Sequence, residues 1–200
     1  MKKQDDIKMI RGRRLYLRPV LKSDIKHLLR WINDEEVTQY LLVHEPLMEA
    51  DENAWFDDLP KRKGKDYIFS IVLNSGRIIG TMGIHKISWR DRTATTGALI
   101  GDKACWGKGY GTEAKMLVLR YAFQTLNLRK IRSSVVSFNM RSYAYLLKCG
   151  YVVEGQRRRE FYRNGRYWDE ILLAVYSSAW KRLWKRECDK FLNPKDRKGV

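Results

Sequence analysis

The chain holds 200 residues with 44% hydrophobic content, enough for one well-buried domain, and no Pro/Gly/Ser-rich linker divides it. No run of roughly eighteen apolar residues is present, and the charged start from Met1 to Ile10 lacks the apolar stretch of a signal peptide, so a soluble, cytoplasmic protein with no membrane partner is predicted. The formal net charge of +17 draws polyanions or anionic cofactors and says nothing about fold.

Cys105, Cys149 and Cys188 are odd in number and far apart, and neither they nor His27, His44 and His85 show metal-ligand spacing. Free thiols and no metal are expected. Part of the basic excess is local: Arg157, Arg158, Arg159, Arg163 and Arg166 lie close together, and the stretch after Trp180 is rich in lysine and arginine. A solvated basic surface explains these runs at least as well as a nucleic-acid site.

Taken in order, Arg13 to Pro19 alternates basic and apolar residues and ends at a proline, which reads as an edge-tolerant strand. Ser23 offers an N-cap for a helix carrying Ile25, Leu28, Leu29 and Ile32. Two shorter helices are expected over Glu35 to Tyr40 and Leu47 to Leu59. Strand-like segments follow at Tyr67 to Leu73, Ile78 to Ser88 and Thr93 to Ile100, joined by a hairpin loop at Asn74-Ser75-Gly76 and a polar turn at residues 89–92.

This antiparallel meander delivers the chain to Cys105-Trp106-Gly107-Lys108-Gly109-Tyr110-Gly111-Thr112-Glu113-Ala114. Glycines let a backbone turn sharply and approach a ligand closely, and free N–H groups at a helix start favour an anion. Gly107, Gly109 and Gly111 give G-x-G-x-G, which fits neither the G-x-G-x-x-G dinucleotide fingerprint nor a P-loop. Ala114, Leu117, Val118, Tyr121, Ala122 and Leu126 then repeat at helical spacing, so the loop opens an amphipathic helix.

A strand over Lys130 to Ser137 follows, and the strand, helix, strand order implies a right-handed crossover with a parallel pair. Asn139 caps a short helix through Lys148, stopped at Gly150. Tyr151 to Arg159 and Tyr167 to Val175 form a last hairpin around Asn164-Gly165. The expected fold class is α/β, of the α+β type: a mixed, mostly antiparallel twisted sheet of about seven strands with four to five helices on its faces. Residues 1–180 form its single domain, and residues 181–200 a basic C-terminal helix or tail.

The order of these elements, with W-G-K-G-Y-G-T-E-A after the fourth strand and N-M-R-S-Y-A-Y-L-L-K-C-G-Y after the fifth, resembles the GCN5-related N-acetyltransferase (GNAT) superfamily from about Arg11 to Trp180. R-L-Y-L-R-P, W-I-N-D-E-E-V-T-Q-Y-L and the late G-R-Y-W-D look like the subgroup of ribosomal-protein N-terminal-amine acetyltransferases. The resemblance implies acetyl-CoA as cofactor. Its pyrophosphate loop would run through Trp106, Gly107, Lys108, Gly109, Tyr110, Gly111 and Thr112, with Trp106 where relatives frequently carry Gln or Arg. Leu99, Ile100 and Gly101 would hold the pantetheine arm and polarise the thioester carbonyl through backbone groups. Asn139 matches the polar residue that contacts the cofactor, and Lys148 is counted with the cofactor-binding residues.

Many relatives place a tyrosine seven residues after this asparagine to protonate the leaving thiolate, but that position here is Leu146. Ser142 flanks the same helical face and is the first choice for the hydroxyl, ahead of Tyr143 and Tyr145, each of which has an ordinary structural reading as well. The glutamate that many subgroup members carry two residues before the glycine of the fourth strand is Thr95 here. Glu160, Asp169 and His85 are its possible replacements as base.

Without a dedicated base, the acceptor amine matters more. An α-amine, with a pKa near 7.8, is roughly a tenth neutral at pH 7, whereas a lysine-like amine near 10.4 is neutral in about one molecule in 2,000. The expected reaction is direct attack of a protein or peptide α-amine on acetyl-CoA, aided by ribosome association through the basic surface. A small-molecule amine such as a polyamine or an antibiotic is the alternative acceptor, with Asp34, Glu35 and Glu36 as a source of local acidity for a polyamine. A non-enzymatic nucleic-acid binder, using Phe161, Tyr162, Tyr167 and Trp168 among the hairpin arginines, is the reading from another class. The expected assembly is a monomer or homodimer.

Overall fold

The computed structural model describes residues 7–41, 43 and 45–196. His44, one of the three histidines of the metal reading, lies outside the described residues. The strands are β1 (Ile10–Arg11), β2 (Leu15–Pro19), β3 (Tyr67–Leu73), β4 (Ile78–Ser88), β5 (Thr93–Ile100), β6 (Lys130–Val136), β7 (Val152–Arg163) and β8 (Arg166–Tyr176). The α-helices are α1 (Ile25–Ile32), α2 (Glu35–Thr38), α3 (Glu49–Asp58), α4 (Tyr110–Arg120), α5 (Met140–Lys148) and α6 (Ser177–Glu187).

One eight-stranded sheet runs in the order β1-β2-β3-β4-β5-β6-β8-β7. Every neighbouring pair is antiparallel except β5 and β6, which the α4 crossover joins in parallel. The mixed, mostly antiparallel sheet is therefore as expected, with one strand more. That extra strand is β1, too short to show a period-2 pattern; it also moves β2 from the edge into the sheet.

The parallel pairing is short. It runs from Thr93↔Lys130 to Thr95↔Arg132, while β6 continues alongside β8 as far as Val136. The Ser133 hydroxyl donates to the Thr96 carbonyl over 3.1 Å just past the last pair. Beyond that, Gly97 to Ile100 keep their bonds to β4 and have no ladder to β6, which leaves a backbone edge free on one side. Because free peptide groups are costly unless bonded, such an edge suits water or a ligand.

α4 is more deeply placed than an amphipathic pattern implies. Every residue from Glu113 to Leu119 is buried, and the helix ends in a π-helical turn over Tyr121–Thr125. Leu117, Val118 and Ala122 pack with Ile71, Ile79, Met82 and Ile84 from the sheet. The boundary expected at residue 180 falls inside α6, because Trp180 and Trp184 are buried in the same core and stack at 5.1 Å. The Arg13 N–H also donates to the Phe191 carbonyl (2.9 Å) and the Asn193 side chain to the Gly12 carbonyl (3.0 Å). The basic C-terminal stretch is thus tied to the domain as far as Asn193.

The last hairpin is longer than its alternation suggested. Asn164 (φ 51°) and Gly165 (φ 77°) both take the left-handed conformation that a two-residue hairpin turn needs. Register shifts between Val153 and Gly155 and between Arg157 and Phe161 bend the pair. Among the described residues no helix is long and apolar enough to cross a membrane.

Candidate active site

The free edge of β5, the glycine loop and the start of α5 surround one cavity of about 300 Å³. Its walls include Ala98, Leu99 and Ile100 of β5, Trp106, Gly107 and Gly109 of the loop, and Tyr110, Gly111 and Thr112 of α4. Asn139, Arg141, Ser142, Tyr145 and Lys148 close it from α5, and Val37, Tyr40 and Leu41 from the other side.

The loop's shape follows from its glycines. Gly107 (φ 74°) and Gly109 (φ 78°) are left-handed, and a side chain at Gly107 would enter open space rather than protein. Gly109 is the N-cap of α4, so the first N–H groups of that helix face the loop without a side-chain cap. Unsatisfied N–H groups at a helix start make an anion site.

Glu113, in the first turn of α4 and fully buried, would oppose an anion. It is instead held by Arg14, whose backbone N–H and Nε donate to its two oxygens at 2.7 Å each. The same guanidinium donates to the Lys108 carbonyl (2.9 Å) and covers the Tyr110 ring at 4.6 Å. Arg14 therefore cancels the carboxylate and clamps the loop together. The sequence analysis did not find it; the alternation that marks β2 gives Arg14 no special place.

Trp106 works through its side chain. Its indole N–H donates to the Ile100 carbonyl (2.6 Å), which fastens the loop to the end of β5. Arg141 lies over the Trp106 ring at 4.0 Å and over Tyr40 at 5.2 Å. The tryptophan at the position of the frequent Gln or Arg is thus a brace, with a cation stacked on it from α5.

Most of the residues singled out in the sequence line this cavity, with instructive exceptions. Gly101 is drawn away: its N–H donates to the Ile79 carbonyl (3.0 Å), and a Cβ there would lie 2.1 Å from the Trp31 ring. The Lys108 side chain is exposed and outside the cavity walls. Asn139 uses its side-chain oxygen to accept the Ser142 N–H (3.0 Å), which caps α5 and leaves its amide N–H₂ for other partners.

Ser142 and Tyr145 both line the cavity and Tyr143 does not. Burial raises the Tyr145 pKa, so its phenol keeps its proton and serves only as a donor or neutral acceptor. None of the three bases considered reaches the cavity. Glu160 is exposed near Arg157 (3.8 Å); Asp169 accepts from Gln156 (2.5 Å) and the Arg159 N–H (2.7 Å); His85 lies 3.9 Å from Asp66, its pKa lowered mainly by burial.

Among the described residues no Asp or Glu belongs to the cavity walls. The nearby acidic pair is committed elsewhere: Lys103 bonds Asp34 at 2.9 Å and also Glu36. These bonds hold the Asp34 carboxyl below its ordinary pKa and raise that of Lys103.

Beneath the site, and unseen in the sequence, lies a buried lysine. Lys115 is fully buried on α4; its ammonium donates to the Thr96 hydroxyl (2.7 Å), which is also bonded to the Tyr151 hydroxyl (2.9 Å). Burial lowers its pKa to about 7 and pushes the neighbouring Cys149 thiol up to about 12. All three cysteines are buried and unpaired, and no cluster of three or more metal-ligating side chains occurs among the described residues.

A parallel β5–α4–β6 unit whose strands part beside a helix start, with an open glycine cradle between, is the arrangement expected of an acetyl-CoA-dependent N-acetyltransferase from the resemblance of its motifs. Residues 14–152 match the acetyltransferase (GNAT) domain, and the chain belongs to that family. It is 32% identical over 182 residues to "Probable N-acetyltransferase YjcK" of Bacillus subtilis (strain 168), covering 84% of this chain and 96% of the relative. It is 26% identical over 178 residues to spermidine N(1)-acetyltransferase of Escherichia coli (strain K12), covering 89% and 94%. Among solved structures, Vibrio cholerae spermidine N-acetyltransferase in complex with CoA and spermine superposes with a TM-score of 0.77 at 26% identity, covering 84% of this chain and 98% of that one.

The chain is therefore an acetyl-CoA-dependent N-acetyltransferase. Acetyl-CoA fits the residues present, since the β5 edge has unladdered peptide groups and the space before Gly107 is open.

Proposed function

We propose that this enzyme acetylates the primary amine of a small-molecule acceptor, and that the amine is weakly basic. The observation that carries the second part is the absence of any carboxylate from the cavity walls, combined with the capture of Asp34 and Glu36 by Lys103. A polycation would meet Arg141 and Lys148, the charged side chains among the described cavity walls. The small-molecule part is supported by the spermidine acetyltransferases among the relatives.

When bound, acetyl-CoA supplies an activated acetyl thioester. The α4 N-terminus and the Arg14-clamped loop would hold its pyrophosphate, and the unladdered end of β5 would orient the arm and offer N–H groups where negative charge develops. Ser142 would supply a hydroxyl donor for the leaving sulfur, with Tyr145 as the next candidate and the Asn139 amide N–H₂ as a further positioning contact. No side chain takes the amine's proton, so water does, and the acceptor must arrive largely neutral.

A peptide or protein α-amine is the second reading, favoured by the same missing carboxylate because an α-amine has a pKa of only about 7.8. Ribosome association through the basic surface belongs to that reading. Mass spectrometry after incubation with acetyl-CoA separates them, using a panel of aminoglycosides, amino-acid amides, spermidine and peptides with free N-termini. Acetylation of small, weakly basic amines is expected; acetylation confined to peptides selects the second reading, and acetylation confined to spermidine overturns the weakly basic acceptor.

A further inference from the structure

α6 has two faces with different fates. Trp180 and Trp184 enter the core, while Arg182 and Arg186 remain exposed, one helical turn apart and side by side, with Lys190 just beyond the helix end. These three cations line a second groove, which also takes in Thr112 in the first turn of α4 and Lys148 at the end of α5. Thr112 and Lys148 line the active-site cavity too. The groove is the continuation of that cavity past the α4 N-terminus.

Its charge is lopsided. Glu187 is the only acid in the wall, and its carboxylate is already shared by Arg186 (3.1 Å) and Lys190 (3.4 Å). Among the described residues neither Lys148 nor Arg182 has an acidic partner. Like charges held this close repel one another until an anion enters. The family match ends at residue 152, so α6 lies outside it.

Coenzyme A is a ligand with two separate phosphate groups: the pyrophosphate, and a 3′-phosphate on the ribose at its far end. The first has its place at the start of α4. We propose that α6 and Lys148 form the subsite for the second, with Arg182 and Arg186 gripping the 3′-phosphomonoester. This rests on the cofactor cavity described above. It assigns a binding task to the basic C-terminal stretch, whose charge would otherwise only decorate the surface. Guanidinium groups suit it, since they donate two parallel N–H bonds to one phosphate.

The test compares CoA with 3′-dephospho-CoA by titration calorimetry on the full chain, wild type against Arg182→Gln/Arg186→Gln. Wild type should bind CoA about tenfold tighter, roughly 1.4 kcal/mol. The double variant should lose most of that preference while binding 3′-dephospho-CoA as wild type does. Both arginines are exposed, and the single Arg182→Gln variant should show an intermediate loss if the pair proves hard to produce. A wild type that does not distinguish the two ligands, or a double variant that keeps the full preference, overturns the assignment. Adding free inorganic phosphate should weaken CoA binding by competition in wild type and less in the double variant; equal weakening in both also overturns it. Failure of the cofactor cavity itself would look different, because neither CoA nor its dephospho form would then bind.

Discussion

Asn139 and Ser142 occupy one turn of α5 and have different tasks. The Asn139 oxygen is spent on the Ser142 N–H, and Ser142 and Tyr145 both line the cavity. If Ser142 is the donor to the leaving sulfur, Ser142→Ala lowers kcat by about 10²-fold with little change in the acetyl-CoA KM, and Tyr145→Phe lowers it less. Steady-state kinetics of the two variants check this ordering, and a larger loss in Tyr145→Phe reverses it. Lys115 gives a residue-scale prediction of another kind. Its pKa is about 7 in the fold, below its ordinary 10.5, so between pH 7 and pH 10.5 the unfolded chain binds more protons than the native one. Stability must therefore rise with pH through that window, by up to about 1.4 kcal/mol per pH unit from this group. Above about pH 9 the raised Cys149 thiol acts in the opposite direction, because it then keeps a proton that the unfolded chain loses. Lys115→Met should be more stable than wild type at pH 7 and should flatten the rise between pH 7 and 9 in denaturant titrations. A parallel pH slope in wild type and variant would contradict the burial account.

At the scale of elements, α4 and its loop carry the binding. Gly109 is left-handed at φ 78° directly before the helix, so Gly109→Ala imposes strain of roughly 1–2 kcal/mol there. The expected result is weaker CoA binding, by about tenfold in calorimetry, with the rest of the fold intact. Glu113→Gln leaves Arg14 without its carboxylate and loosens the clamp on the Lys108 carbonyl; a lower denaturation midpoint and weaker CoA binding should appear together. The elements themselves were mostly legible. β3, β4 and β5 have the bounds their apolar runs imply, and Asn139 caps α5 as its residue type suggests. What the sequence hid was depth. Lys115 and Glu113 fall outside the apolar repeat of an amphipathic helix, and nothing local records that the sheet and α5 both pack against α4. In the basic C-terminal helix the lysines and arginines masked a buried face, whose available sign was the four-residue spacing of Trp180 and Trp184.

At the scale of the whole molecule, β5 leaves β6 beside a loop braced through Arg14 and Trp106, and that parting is where the proposed mechanism puts the cofactor's reactive end. The superfamily was legible because its glycines and its capping asparagine are backbone requirements written locally. The acceptor was less so, because it depends on which side chains from distant segments meet: Lys103 taking Asp34 and Glu36 out of play joins parts of the chain that no short motif spans. Among small-molecule acceptors, that pairing argues against a polyamine and for a weakly basic amine. The most direct measurement is kcat/KM at pH 7 for a series of primary amines of similar size and graded pKa, from about 7 to about 10.5. With no enzymic base, kcat/KM should fall steeply as amine pKa rises, following the neutral fraction. A value that stays level or climbs with basicity would show that the enzyme itself removes the proton, and would contradict the account.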